Sequence, residues 1–205
     1  MESNRAVPKA RYRGHIILAS SSPRRRKLLE EAGYDFEVIV PTLGEDGLHT
    51  QDPKLLAESL AYAKARQVAD RIEQDVVLGA DTIVASGGEV IGKPADAADA
   101  RAILRRLMGT THQVITGICL INVRRGERLM TADVTHVTMR RMTDGELEAY
   151  IASGEGMGKA GAYAIQETGD RFVEKIDGSF TNVVGLPMEM LAELLGVMEK
   201  LTGRR

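Results

Sequence analysis

Ser20, Arg24 and Arg25 stand close together in LASSSPRRRKLL, residues 18–29, and their types suit the binding of an anion. The segment reads as a short strand running into a helix, with Ser20, Ser21 and Ser22 as cap-type oxygens and Pro23 at the first helical position. A helix N-terminus offers unpaired backbone N–H groups and a partial positive charge. Hydroxyls and guanidinium groups at that end make a socket for a phosphate chain. The same spacing also fits a capped helix with a solvated basic face, and the motif leaves both readings open. The apolar run before it, residues 15–19, favours the socket, because α/β folds place ligands at the carboxyl ends of strands.

Four further segments carry candidate chemistry. GADTIV, residues 79–84, sets Asp81 directly after a buried apolar run. A carboxylate is costly to bury unless paired or metal-bound, so Asp81 reads as a metal ligand or general base, or else as a turn-capping residue. GKP, residues 92–94, fixes Lys93 between glycine and proline, as a point charge for phosphate or as a solvated loop lysine. KAGAYAIQ, residues 159–166, has small residues that allow close backbone approach to a ligand. Its Gln166 amide could read a base edge, and its Tyr163 could stack or simply pack. GSFTNVVGLP, residues 178–187, reads mainly as structure, with turns at Asn182 and Gly185, a helix start at Pro187 and a weaker phosphate or sugar contact from Ser179. His15, His49, His112 and His136 lack metal-type spacing, and only His112, after a Gly-Thr-Thr turn, merits following. There is no P-loop, dinucleotide fingerprint or nucleophile elbow.

These groups need a scaffold, and 205 residues with 43% hydrophobic content are enough for one domain with a sizeable core, in one lobe or two. A net charge of −2 disfavours a nucleic-acid-binding surface, although basic residues cluster at 24–27 and at Arg101, Arg105 and Arg106. The single cysteine, Cys119, reads as a buried small hydrophobe. No run approaches the ~20 apolar residues of a membrane span. The polar start lacks a secretory signal, so residues 1–13 are expected to form a mobile extension before a single domain over residues 14–205, in the cytoplasm.

Periodicity and breakers predict strands at residues 15–19 and 36–40, a helix over 53–72, and a strand pair over 75–85 interrupted by Gly79, Ala80 and Asp81. A tight turn at residues 86–89, a helix over 96–108 and a β hairpin from 113–123 and 129–140 follow. Thr143 and Glu146 form a capping box for a helix through Ile151, residues 172–176 read as a strand, and the last helix covers 188–200. The alternation indicates a mixed-sheet α/β or α+β fold.

Taken together, these segments resemble the Maf family of nucleoside triphosphate pyrophosphatases. The resemblance runs from about His15 to Leu195, through LASSSPRRRKLL, LAYAKA, GADTIV, IGKP, GTTHQVITG, Gly154-Glu155, KAGAYAIQ and GSFTNVVGLP. It implies an α/β fold with a mixed twisted sheet and two lobes around a central cleft, like that of inosine triphosphate pyrophosphatases. It implies hydrolysis of a nucleoside triphosphate to monophosphate and pyrophosphate, a divalent metal (Mg²⁺ or Mn²⁺), and a homodimer. Ala80-Asp81-Thr82, the Thr111-His112 pair and AYAIQ look like the branch acting on dTTP and UTP, with modified pyrimidine nucleotides as further substrates. Gly158 and Ala164 depart from the family's usual aspartate and glycine, which puts local loop geometry in question.

Carried over by position, the resemblance makes Asp81, Lys64 and Lys93 the catalytic group. Ser20, Arg24, Arg25, Thr82 and Gln166 become substrate-binding residues, and Asp81 with Glu45 the metal ligands. Arg24, Arg25, Lys64 and Lys93 would hold the triphosphate, Asp81 would activate water, and Gln166 and Thr82 would select the base, unless Thr82 only orders Asp81. The expected partner is a free nucleoside triphosphate, with no stable nucleic acid and no membrane. Competing readings are a non-catalytic nucleotide-binding regulator of cell division and a phosphatase releasing single phosphates.

Overall fold

A computed structural model describes residues 6–42, 50–166 and 168–203. The first strand, β1 (Ile16–Ala19), is buried at all four positions, as a strand covered on both faces must be. It lies parallel to β2 (Phe36–Val38) on one side and to β3 (Val76–Ser86) on the other. The crossover helices are α1 (Pro23–Ala32), capped by the Ser22 side chain, and α2 (Pro53–Ala69), capped by Asp52. Beyond β3 the sheet turns antiparallel, through the long hairpin of β5 (Thr111–Asn122) and β6 (Glu127–Met139) to β7 (Val173–Asp177). The order is β2-β1-β3-β5-β6-β7, with β4 (Glu89–Ile91) paired to β3 as a seventh strand. The expected mixed sheet of an α/β fold is thus present.

Helices cover both faces. Ile16, Leu18, Val76, Leu78 and Ala80 pack with α1 and with α6 (Met188–Thr202), whereas Ile17, Ala19 and Val77 pack under α2. This alternation is the two-residue period of strands. A third cluster joins α3 (Ala97–Leu107) and α4 (Asp144–Ser153) to the far end of the sheet, around Leu104, Tyr150 and Phe172. The expected capping box of Thr143 and Glu146 starts α4.

Three sequence expectations need correction. The strand pair expected over residues 75–85 is one continuous strand, β3. Gly79 is there for close packing rather than for a turn: a Cβ on it would fall 2.2 Å from the Ala61 carbonyl oxygen, and one on Gly117 of β5 equally close to that of Ala57. The two glycines let α2, with its buried Ala57, Ala61 and Ala65, lie flush on the sheet. Asp81 therefore sits within a strand, not at its end. β2 stops at Val38, although the Ile39 N–H still donates to the Leu18 carbonyl at 3.1 Å. Asn182, read as a turn residue, lies instead in a short helix, α5 (Phe180–Val184), with Ser179 as its N-cap, whereas Gly185 makes the expected turn at its end, at φ 126°.

Of the extension expected over residues 1–13, the described part lies against the core. Val7, Ala10 and Tyr12 pack on it, and the Ala10 N–H donates to the Ala32 carbonyl at 2.9 Å.

Candidate active site

One edge of β3 creates the site. Residues 76–79 pair with β1 and residues 84–86 with β4, so residues 80–83 face a gap on that edge. The gap opens into a cleft of about 780 Å³, bordered by the start of α1, by α2, by the turn after β4 and by residues 157–166. The volume is in the range of small-molecule sites.

Alternation along β3 splits Asp81 and Thr82 between its two faces. Asp81 points toward α2, where its carboxylate forms an ion pair with the Lys64 ammonium. The pair is largely buried, with side-chain exposures of 16% for Lys64 and 9% for Asp81. Thr82 points the other way, toward α1 and α5. Its hydroxyl accepts a hydrogen bond from Arg25 Nη2 at 3.0 Å and shares a proton with Thr116 Oγ1 at 2.9 Å.

Arg25 is braced on three sides. Besides Thr82, its Nε donates to the Gly185 carbonyl at 2.8 Å and its Nη1 to Ser20 Oγ at 3.0 Å. The guanidinium thus ties the start of α1 to β3 and to the turn after α5. Ser20 Oγ accepts from Arg25 and from the Ser22 N–H at 3.2 Å. With its acceptor sites engaged, its own O–H remains a donor, and Ser20 lines the cleft. Arg24 lines the same wall, half-buried, while Lys93 stands exposed after β4 and Gln166 exposed at the end of the small-residue segment.

The structure thus brings Ser20, Arg24, Arg25, Lys64, Asp81, Thr82, Lys93 and Gln166 to one cleft. Glu45 lies outside the described residues. Ser179 has a different role from the expected phosphate contact: it caps α5 through the Asn182 N–H at 3.2 Å and donates to Glu189 at 2.9 Å. The sequence did not single out Thr116 or the Gly185 carbonyl, both distant in the chain from the groups they hold. Lys159, noted only as part of its motif, also lines the cleft.

Among the described lining residues are five basic side chains (Arg24, Arg25, Lys64, Lys93 and Lys159) and one carboxylate, Asp81. Low-dielectric walls bearing charge of one sign attract a multiply charged anion. The other basic cluster is not a site of this kind. Arg101 is paired with Glu148 at 2.6 Å, Arg106 with Glu89 at 2.7 Å, and Arg105 lies 3.6 Å from Asp144. Cys119 is fully buried, and burial pushes its thiol up to about 12, so it is no nucleophile at neutral pH.

Comparison with known proteins shows the family and the fold. The family model described as Maf-like protein matches residues 15–198. A dTTP/UTP pyrophosphatase of Alkaliphilus metalliredigens is 48% identical over 181 residues, covering 88% of this chain and 94% of that protein. The proteins of the same name from Geobacter sulfurreducens and Deinococcus radiodurans are 47% and 46% identical, covering 86% and 88% of this chain and 92% and 91% of their own lengths. Among solved structures, the Ham1 protein of Staphylococcus aureus superposes with a TM-score of 0.53 at 12% identity, over 90% of this chain and 99% of that one. At that identity the likeness concerns the fold alone.

Proposed function

The chain belongs to the Maf-like protein family, and on that footing we propose that it hydrolyses dTTP and UTP to the monophosphate and pyrophosphate. The observation that carries the reading is the cleft itself, with five basic side chains around one largely buried carboxylate among the described residues. Charge neutralisation and positioning dominate phosphoryl chemistry, and this arrangement supplies both.

In this reading Arg24, Lys64 and Lys93 neutralise the phosphate chain, and the Ser20 O–H donates to one of its oxygens. Arg25 acts mainly as the brace that fixes this wall. A water attacks the α-phosphorus, and its proton passes to the Asp81 carboxylate. The bond from the α-phosphorus to the bridging oxygen breaks, and pyrophosphate leaves. Gln166 is the base-reading group, exposed and carrying both an amide donor and a carbonyl acceptor. Thr82 acts through Arg25 rather than by reaching a base.

The residues fit a divalent cation. Mg²⁺ is commonly held by one or two carboxylates together with substrate phosphates, and Asp81 presents hard oxygen donors at the cleft floor. Asp81 would hold the ion with the phosphate oxygens, and Glu45 is the second proposed ligand. When bound, the ion would neutralise phosphate charge and polarise the phosphorus centre. Chelation with EDTA should abolish turnover, and added Mg²⁺ or Mn²⁺ should restore it.

The near-neutral charge of −2 supports a free nucleotide over nucleic acid as partner, and no helix among the described residues is long and apolar enough to cross a membrane. We propose the cytoplasm as its setting. The test is product analysis with dTTP, UTP and GTP in the presence of Mg²⁺. Monophosphate and pyrophosphate, formed fastest from dTTP and UTP, support the reading. Diphosphate with orthophosphate would make the protein a phosphatase, and binding without turnover would make it a regulator.

A further inference from the structure

The segment over residues 160–166 has a backbone that needs holding. Gly161 and Ala162 are consecutive left-handed residues, at φ 74° and 58°, and Ala162 pays the steric penalty of its Cβ there. Ala162, Tyr163, Ala164 and Ile165 are all buried, and the segment then delivers one exposed side chain, Gln166.

Two buried side chains from other elements grip it. The Tyr150 hydroxyl of α4 accepts the Ala164 N–H at 3.1 Å, while its ring sits edge-on to Phe172, with centroids 5.5 Å apart. His112 Nε2 of β5 lies 2.8 Å from the Tyr163 hydroxyl, again with an edge-on ring contact. Both His112 and Tyr150 are 1% exposed. Burial pushes His112 down to about 4, so the imidazole is neutral at working pH and acts as a hydrogen-bonding group, not a charge. A phenylalanine at position 150 would fill the same volume. The phenol oxygen adds an anchor for the backbone two residues before Gln166.

We propose that Tyr150 and the His112–Tyr163 pair are positioning residues that set substrate choice, by holding residues 160–166 in the shape that offers the Gln166 amide to the base. The proposal rests on the reading of Gln166 as the base-reading group. Of the triphosphate-binding groups, Ser20, Arg24 and Lys64 come from the start of α1 and from α2, and only Lys93 neighbours this segment, through the Gly161 N–H to Gly92 carbonyl bond at 3.2 Å; Tyr150 itself does not line the cleft. Loosening the segment should therefore affect which base is accepted more than the rate of hydrolysis.

The experiment measures kcat and KM for dTTP, UTP, CTP and GTP in the wild type, Tyr150→Phe, Gln166→Ala and the double variant. In Tyr150→Phe the preference for dTTP and UTP, as a ratio of kcat/KM values, should fall roughly 3- to 10-fold, the size of one hydrogen bond. The fall should come through KM, with kcat for dTTP within about 2-fold of wild type. Gln166→Ala should lose at least as much, and the double variant no more than Gln166→Ala alone. An unchanged preference in Tyr150→Phe beside a lowered one in Gln166→Ala overturns the proposal, as do additive losses in the double variant. An unchanged preference in Gln166→Ala overturns the reading of Gln166 itself. Should Tyr150→Phe not fold, Tyr163→Phe removes the hydroxyl that meets His112 and is judged by the same preference ratio.

Discussion

Lys64 of α2 and Asp81 of β3 meet as a largely buried ion pair where the edge of β3 is left open between β1 and β4. In the proposed mechanism the pair joins the charge that holds an anion to the carboxylate that takes a proton. Asp81→Asn keeps the volume and removes the base. Turnover should drop by ~10²-fold or more, the scale of acid–base groups, with a cooperative melting transition retained. Near-normal turnover in a folded variant would remove Asp81 from the chemistry.

Placement of Lys64 depends on how closely α2 approaches the sheet. In Gly79→Ala the new Cβ would meet the Ala61 carbonyl oxygen at 2.2 Å and the Ala65 nitrogen at 2.7 Å, both backbone atoms. Overpacking of this kind costs roughly 1–3 kcal/mol or more, which in a chain of this size lowers Tm by about 2–4 °C per kcal/mol. Activity should fall with it, because α2 and its Lys64 must shift. Calorimetry and steady-state kinetics on one preparation check both; an unchanged Tm would mean that the helix has room to spare.

Thr82 links β3 to Arg25 and to Thr116. In Thr82→Val, Arg25 Nη2 loses the acceptor at 3.0 Å and Thr116 loses one partner at 2.9 Å, keeping its bond to the Asn182 carbonyl at 3.1 Å. Losing bonds of this kind, one of them to a charged group, costs about 1–3 kcal/mol. Stability should fall by that order and KM for dTTP should rise, with Thr82→Ser restoring both. Denaturant titration and kinetics decide it, and a Thr82→Val protein as stable as wild type would show that Arg25 is held without this bond.

The sequence made much of this legible, and the limits have physical causes. Local chemistry was readable where caps and breakers act: Ser22 and Thr143 start helices as expected. Gly79 was read as a break because glycine has two uses, and only the approach of α2 shows which applies. The bracing of Arg25 was not legible, because its acceptors, Thr82 and Gly185, lie 57 and 160 residues away. Tyr150 drew no notice because a tyrosine on a helix face reads as packing, and its hydroxyl acquires a role only beside the Ala164 N–H.

Buried His112 makes stability depend on pH in a definite direction. Its folded pKa, lowered by desolvation to about 4, lies below the ordinary value of 6.5, so between these values the unfolded chain binds a proton that the folded chain does not. Its contribution is constant above about pH 6.5 and is lost as pH falls toward 4, by ~3 kcal/mol in all. Denaturant titrations from pH 7 to 4 should show this decline, and His112→Gln should show a shallower one. Equal slopes in the two proteins would mean that His112 is not the group responsible.

The bond that breaks is the central claim, and hydrolysis of dTTP in ¹⁸O-labelled water reads it directly. Attack at the α-phosphorus places the label in dTMP and leaves the pyrophosphate unlabelled. Label in pyrophosphate would mean attack at the β-phosphorus, label in orthophosphate attack at the γ-phosphorus, and either would contradict the assignment.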